Sequence, residues 1–225
     1  IFKDFKEEKQ TFQEKVNFLN QPESNKEFSS FYFKESLRSL YTSLTFMDSD
    51  QKVKVLMISS CLPSEGKSLL NIIFAQTLCE LDKKVLLIDF DLRKPTIHKR
   101  LGLNNIKGIT NYLSSNSQDF ESLVQDLESE KNLKIITSGP TPPDPLRLIN
   151  SSRMINFIKE LKESKEYDYI LIDTTPLVGL SETRVLASLS DGLAVIISMN
   201  NLNRSLARNV LRDIGDKDIN LLGLI

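Results

Sequence analysis

The stretch Val53-Lys-Val-Leu-Met-Ile-Ser-Ser-Cys-Leu-Pro-Ser-Glu-Gly-Lys-Ser68 decides how the rest of the chain is read. Val53 to Ile58 is an apolar run with β-branched residues, the composition of a buried parallel strand. A short turn follows, and Gly66-Lys67-Ser68 opens a helical pattern that runs through Leu81. Strand, turn and helix in this order make a cradle for phosphate. Backbone N–H groups at the turn and helix N-terminus point at phosphate oxygens, and the helix dipole favours the anion. Gly66 lets the backbone approach closely, Lys67 neutralises the outer phosphates of ATP, and Ser68 offers a hydroxyl to Mg2+. The binding segment on this reading is Pro63, Ser64, Glu65, Gly66, Lys67, Ser68 and Leu69. Cys61 stands where the strict pattern G-x-x-x-x-G-K-[ST] has its first glycine. Taken alone, Gly-Lys-Ser also reads as a helix N-terminus capped by Ser64, with Glu65 favouring the dipole.

Two downstream stretches strengthen the phosphate reading. Lys84-Val-Leu-Leu-Ile-Asp89-Phe-Asp91-Leu-Arg93-Lys-Pro95 is a buried strand ending in two carboxylates and an arginine. Strand C-termini in a parallel sheet face the ligand crevice, and alternation puts Asp89 and Asp91 on one side if the extension persists. Paired carboxylates beside a phosphate loop suit Mg2+ organisation and general-base work on an attacking hydroxyl. A turn with helix-capping acids is the plainer reading. Tyr167-Asp-Tyr-Ile-Leu-Ile-Asp173-Thr-Thr-Pro176 is a third buried strand, and its terminal carboxylate has the position of a Walker B aspartate reaching Mg2+. Lys67, Asp89, Asp91 and Arg93 are therefore the catalytic candidates, and Ser68, Asp89 and Asp173 the metal candidates.

The bounds agree with this. The chain has 225 residues, 40% hydrophobic and 26% charged, the composition of an ordinary globular α/β domain. A net charge of −1 gives no global field for nucleic acid. Cys61 and Cys79 form no disulfide framework, and the single His98 excludes a multi-histidine metal site. No apolar run approaches the length of a bilayer span, and no signal peptide is visible. Ile1 and the interrupted strand pattern Leu221-Leu-Gly-Leu-Ile225 read as the ends of a fragment.

Working outward, Phe2, Phe5, Phe12, Val16 and Leu19 recur at near-helical spacing, so residues 1–30 read as an amphipathic helix or linker. Residues 31–225 form the nucleotide domain. Lys34 to Met47 reads as a helix with Leu37, Leu40 and Leu44 buried and a Glu35–Arg38 pair on another face. The pattern predicts a helical stripe at Phe120, Leu123 and Leu127, a strand over Leu133 to Thr137, and a stiff proline loop from Gly139 to Pro145 bordering the site. Helices are expected over Leu146 to Lys162, Ser181 to Leu189 and Leu202 to Ile214, with a strand over Gly192 to Ser198. The alternation implies an α/β fold, a mostly parallel sheet flanked by helices on both faces.

The blocks P-S-E-G-K-S, V-L-L-I-D-F-D-L-R-K-P-T-I-H-K-R-L-G, G-P-T-P-P-D-P and Y-I-L-I-D-T-T-P together resemble the bacterial tyrosine kinases, the Wzc-like and CapB/CpsD-like proteins of capsule and exopolysaccharide export. The resemblance covers roughly Glu35 to Ile225 and implies the deviant P-loop NTPase fold shared with MinD and ParA. It implies ATP and Mg2+ held by Lys67 and Ser68, and Mg2+ binding and tyrosine activation at Asp89 and Asp91. Asp173 would be the Walker B carboxylate. Glu35 and Arg38 resemble the start of an E-x-x-R-x-x-R helix through which subunits pack into a ring, although Tyr41 replaces the last arginine. Thr175 replaces the usual proline after Asp-Thr. The implied activity is autophosphorylation in trans within a homo-oligomer, regulating polysaccharide chain length and export. The implied partners are the tyrosine-rich C-terminal tail of a neighbouring subunit, following residue 225, and a membrane-spanning polysaccharide co-polymerase region, fused or separate. The implied location is the cytoplasmic face of the bacterial inner membrane. Two other readings stay open: a MinD/ParA-type ATPase, disfavoured by the missing extra loop lysine, and a catalytically silent nucleotide-binding regulator.

Overall fold

The elements run in the order Lys26–Met47 (α1), Val55–Ser60 (β1), Lys67–Glu80 (α2), Val85–Asp89 (β2), Ile97–Leu101 (α3), Ile109–Ser114 (α4), Gln125–Leu127 (β3), Glu130–Ile136 (β4), Pro145–Ile149 (α5), Ser152–Glu163 (α6), Tyr169–Asp173 (β5), Ser181–Leu189 (α7), Gly192–Ile196 (β6), Arg204–Gly215 (α8) and Leu221–Leu224 (β7). The structure is a computed structural model that describes residues 26–47, 52–115, 119–178, 181–198, 204–215 and 219–225. The helix read from Phe2 to Leu19 lies outside the described residues.

β1, β2, β5 and β6 are buried at every position, which is why they read as continuous apolar runs rather than alternating ones. They form the middle of a seven-stranded sheet ordered β3-β4-β2-β5-β1-β6-β7. All pairings are parallel except β3 with β4. Alternate residues of each strand feed different cores. Met57, Ile88, Ile170 and Ile172 join Met154, Phe157 and Leu161 of α6 and Leu186 of α7 on one face. Ile58, Leu87 and Leu171 join Phe74 and Leu78 of α2 and Leu37 and Leu44 of α1 on the other. Helices on both faces bury a two-sided sheet, as the βα alternation requires.

α1 begins at Lys26, earlier than the expected Lys34. Its Tyr41 ring meets Tyr169 edge-on at 6.1 Å, so the residue standing in the place of an arginine docks α1 on its own domain. The Phe120–Leu127 stripe is not helical. Glu121–Leu123 is one 3-10 turn, and Gln125–Leu127 pairs antiparallel with β4. Phe120 suits a helical stripe only in being apolar. Its ring packs edge-on against Tyr112 and Phe157, which needs no helix. The helix expected over Leu146 to Lys162 is two helices. The Ser151 hydroxyl accepts from Met154 N at 3.2 Å and starts α6 anew, while Asp144 caps α5 with Pro145 behind it.

Candidate active site

Three strand ends build the site. β1 leads into the phosphate loop, and β2 and β5 lie side by side with Asp89 and Asp173 as register partners at their last positions. Phe90 N donates to the Asp173 carbonyl at 2.8 Å, which extends the pairing one step past the strands.

The loop is braced by Glu65, whose two carboxylate oxygens accept from Leu62 N at 2.6 Å and Ser198 N at 3.0 Å. Glu65 thus ties the loop to the segment after β6. α2 is capped by Gly66, in the left-handed region at φ 88, with no side-chain cap. The reading of Ser64 as the N-cap is therefore corrected. The first-turn amides are claimed by no side-chain cap, and no acidic residue sits in that turn to neutralise the dipole. Ser64 itself adopts φ 65, an uncommon conformation for a residue with a Cβ.

Lys67 Nζ lies 2.9 Å from Asp91 Oδ2 and 3.3 Å from the Ser68 hydroxyl. Burial works against its charge, but Asp173, Asp91 and Asp89 outweigh this and hold the ammonium above its usual range. Asp89 is wholly buried and accepts from Asp91 N at 3.1 Å, Thr96 N at 3.2 Å and Ile97 N at 3.1 Å. It therefore does cap α3, as the plainer reading had it, while facing Asp173. Burial raises its pKa well above the carboxylate range, and Asp173 adds to the effect. Burial likewise raises Asp173 to about 6, with Lys67, Ser68 and Asn71 pulling back.

A cavity of about 360 Å3 opens here, lined by Pro63, Ser64, Gly66, Lys67, Ser68, Asp91, Arg93, Lys94, Thr96, Arg100, Thr175 and Pro176. Glu65, Leu69, Asp89 and Asp173 are not part of the lining. Arg93 donates through Nε to Glu182 Oε1 at 3.1 Å and also through Nη2. Thr175 joins Thr183 hydroxyl to hydroxyl at 2.7 Å, so α7 grips both the β2 loop and the β5 loop. Sequence reading missed Asn71, Glu182 and Thr183. Asn71 and Thr183 are polar residues buried in helices, a signal visible only once the buried faces are known.

The other expected features fall elsewhere. Glu35 and Arg38 pair at 2.9 Å on α1, and Arg38 and Lys34 also reach Glu80 of α2. The proline loop lines a separate cleft with Thr110, Asn111 and Ser114. A larger hollow of about 640 Å3 at the opposite end of the sheet is rich in lysine. There Lys54 caps the carbonyls that end α6, and Lys162 pairs with Asp191.

The donor set fits Mg2+ bound with a nucleotide. Asp173 Oδ2 is buried without a hydrogen-bond partner, and Ser68 lies beside that carboxylate. Among the described residues no group of three or more histidine, cysteine or acidic side chains forms a metal cage.

Fold and site together define a P-loop nucleotide-binding protein. A family model described as an AAA domain matches residues 53–215. Tyrosine-protein kinase YwqD of Bacillus subtilis is 36% identical over 85% of this chain and 79% of its own length. The putative tyrosine-protein kinase CapB of Staphylococcus aureus is 33% identical over 76% of this chain and 73% of its own. The chain belongs to the bacterial tyrosine-protein kinase family. The VpsO kinase domain structure superposes with a TM-score of 0.74 and 33% identity, covering 86% of this chain and 97% of that one. MinD from Pyrococcus horikoshii with Mg-ADP has a TM-score of 0.61 at 20% identity, over 76% and 68% of the two chains, and shows the shared fold.

Proposed function

We propose that this chain is the catalytic domain of an ATP-dependent protein tyrosine kinase that phosphorylates tyrosines in trans within a homo-oligomer, and so regulates capsular or exopolysaccharide chain length and export. One observation carries the reading: the phosphate-loop Lys67 and the carboxylate of Asp91 meet inside one cavity, above the paired Asp89 and Asp173.

Bound Mg·ATP supplies the phosphoryl group and the charge of the cation. The α2 amides and Lys67 bind and orient the phosphates, and Ser68 and Asp173 hold the cation side of the site. Asp91, at the cavity wall, takes the proton of the incoming tyrosine hydroxyl. Asp89 acts through the backbone, fixing the loop that carries Asp91 by its three amide hydrogen bonds. Arg93 stands at the rim, where an acceptor segment enters. Catalysis on this plan is positioning and charge neutralisation.

The exposed Glu35–Arg38 face of α1 is the proposed subunit contact, with Tyr41 committed inward. The acceptor is the tyrosine-rich tail of a neighbouring subunit. A membrane-spanning co-polymerase region, fused or separate, holds the assembly at the cytoplasmic face of the inner membrane. Among the described residues no helix is long and apolar enough to cross a membrane.

Phosphotyrosine mapping by mass spectrometry on the natural protein, beside Lys67→Met, tests this. Phosphotyrosines that vanish in the variant are the expected result. ATP hydrolysis with no phosphotyrosine in either protein returns the MinD/ParA-type ATPase reading instead.

A further inference from the structure

Asn71 sits on α2 one turn beyond Lys67, with no solvent exposure, in a stretch otherwise made of leucine, isoleucine and phenylalanine. A buried amide is costly unless its hydrogen bonds are made. Its Nδ2 group donates to Asp173 Oδ1 at 3.0 Å, faces the Lys67 carbonyl at 3.1 Å and the Ile58 carbonyl at 3.3 Å. One side chain therefore joins β1, the first turn of α2 and the end of β5. The two oxygens of Asp173 are left unlike each other. Oδ1 is held by Asn71, whereas Oδ2 is buried with no partner, as is Oδ1 of Asn71. Orphaned buried oxygens beside a phosphate loop mark a place for a cation or its water.

We propose that Asn71 is a positioning residue: it fixes the rotation of the Asp173 carboxylate so that the free Oδ2 is presented to the cation of the nucleotide. The inference rests on the Mg·ATP reading above, and extends it to a residue outside the phosphate loop and the strand-end carboxylates. Leucine at this position fills the volume and leaves Asp173 free to turn.

Calorimetric titration of ADP into the chain, in excess Mg2+ and in excess EDTA, reads the effect without reference to kinase activity. Mg2+ is expected to tighten ADP binding to the unaltered chain. Asn71→Leu is expected to match the unaltered chain in EDTA and to lose about tenfold of the Mg2+ enhancement, the usual scale for removing a residue that orients a metal ligand. Asn71→Ala, which also removes the donor, is expected to lose a similar share. An Asn71→Leu protein that retains the full enhancement overturns the proposal. So does one that loses ADP affinity equally with and without Mg2+, since that is the mark of a merely structural role. Should Asn71→Leu not fold, Asn71→Ala stands in its place: a loss confined to the Mg2+ enhancement supports the inference, and full retention, or a loss equal with and without Mg2+, overturns it. An unaltered chain whose ADP affinity ignores Mg2+ instead overturns the Mg·ATP reading itself.

Discussion

Lys67 and Asp91, separated by a helix and a strand, are joined by an ion pair of 2.9 Å, with only 12% and 5% of their side chains exposed. The phosphate-loop lysine thus has a carboxylate partner of its own, and a phosphate held by the loop competes with Asp91 for it. Asp91→Asn removes that competitor along with the proposed base. ADP affinity is expected to hold or improve, while phosphotyrosine formation falls by about 10²–10⁴, the range for losing a general base. Lys67→Met is expected to lose both. Paired nucleotide-affinity and phosphotyrosine assays check this, and an Asp91→Asn protein that still phosphorylates at the normal rate refutes the assignment.

Ser64 occupies the left-handed region at φ 65 although it carries a Cβ. That conformation costs L-residues roughly 1–2 kcal/mol, offset in part by the roughly 0.5–1 kcal/mol of extra chain entropy that glycine loses on folding. Ser64→Gly is expected to stabilise the chain by about 0.5 kcal/mol, raising Tm by about 1–2 °C at this size. Differential scanning calorimetry decides the matter. A lowered Tm means that the serine hydroxyl makes contacts worth more than the backbone relief.

The middle of the sheet was legible because buried parallel strands leave an unmistakable signal: Val55–Ser60, Val85–Asp89 and Tyr169–Asp173 are buried at every position. Their terminal carboxylates were legible because strand ends face the crevice. The edge was not. Gln125–Leu127 is three residues long and mostly polar, held by pairing with β4, and no local pattern announces that. The supporting shell was hidden for a different reason. Asn71 and Glu182 matter through partners 102 and 89 residues away, Asp173 and Arg93, and sequence spacing along one helix carries no trace of either contact. Asp89 shows the limit of choosing between readings, since capping a helix and facing the catalytic crevice are done by one carboxylate.

Glu182 is 4% exposed, and Arg93, about half exposed, donates to it through two nitrogens. Removing the arginine leaves a buried carboxylate short of its donor, a loss of about 1–3 kcal/mol, with water at the exposed rim keeping it below the cost of breaking a fully buried pair. Arg93→Ala is expected to destabilise more than Glu182→Gln. The double variant is expected to fall short of the sum of the two, because the charge that Arg93 serves is already gone. Urea unfolding of the four proteins measures the coupling. Strict additivity shows that the contact contributes nothing to folding.

Burial, with Glu130 adding to it, pushes the Cys79 thiol from 9.0 up to about 12, and burial beside Glu65 raises Cys61 as well. The folded chain therefore holds its thiol protons more tightly than the unfolded chain does. The stability this provides is complete below pH 9, where both states are protonated. It is lost as pH rises from there towards about 12, because only the unfolded thiol ionises in that window. Two results are expected. A thiol-reactive dye at neutral pH labels the folded chain far more slowly than the chain in urea. The drop in urea midpoint between about pH 8 and pH 10.5, spanning the ordinary thiol range, is smaller for Cys79→Ala than for the unaltered chain. Fast labelling of the folded chain, or an alkaline drop unchanged by Cys79→Ala, contradicts a buried, protonated thiol on α2.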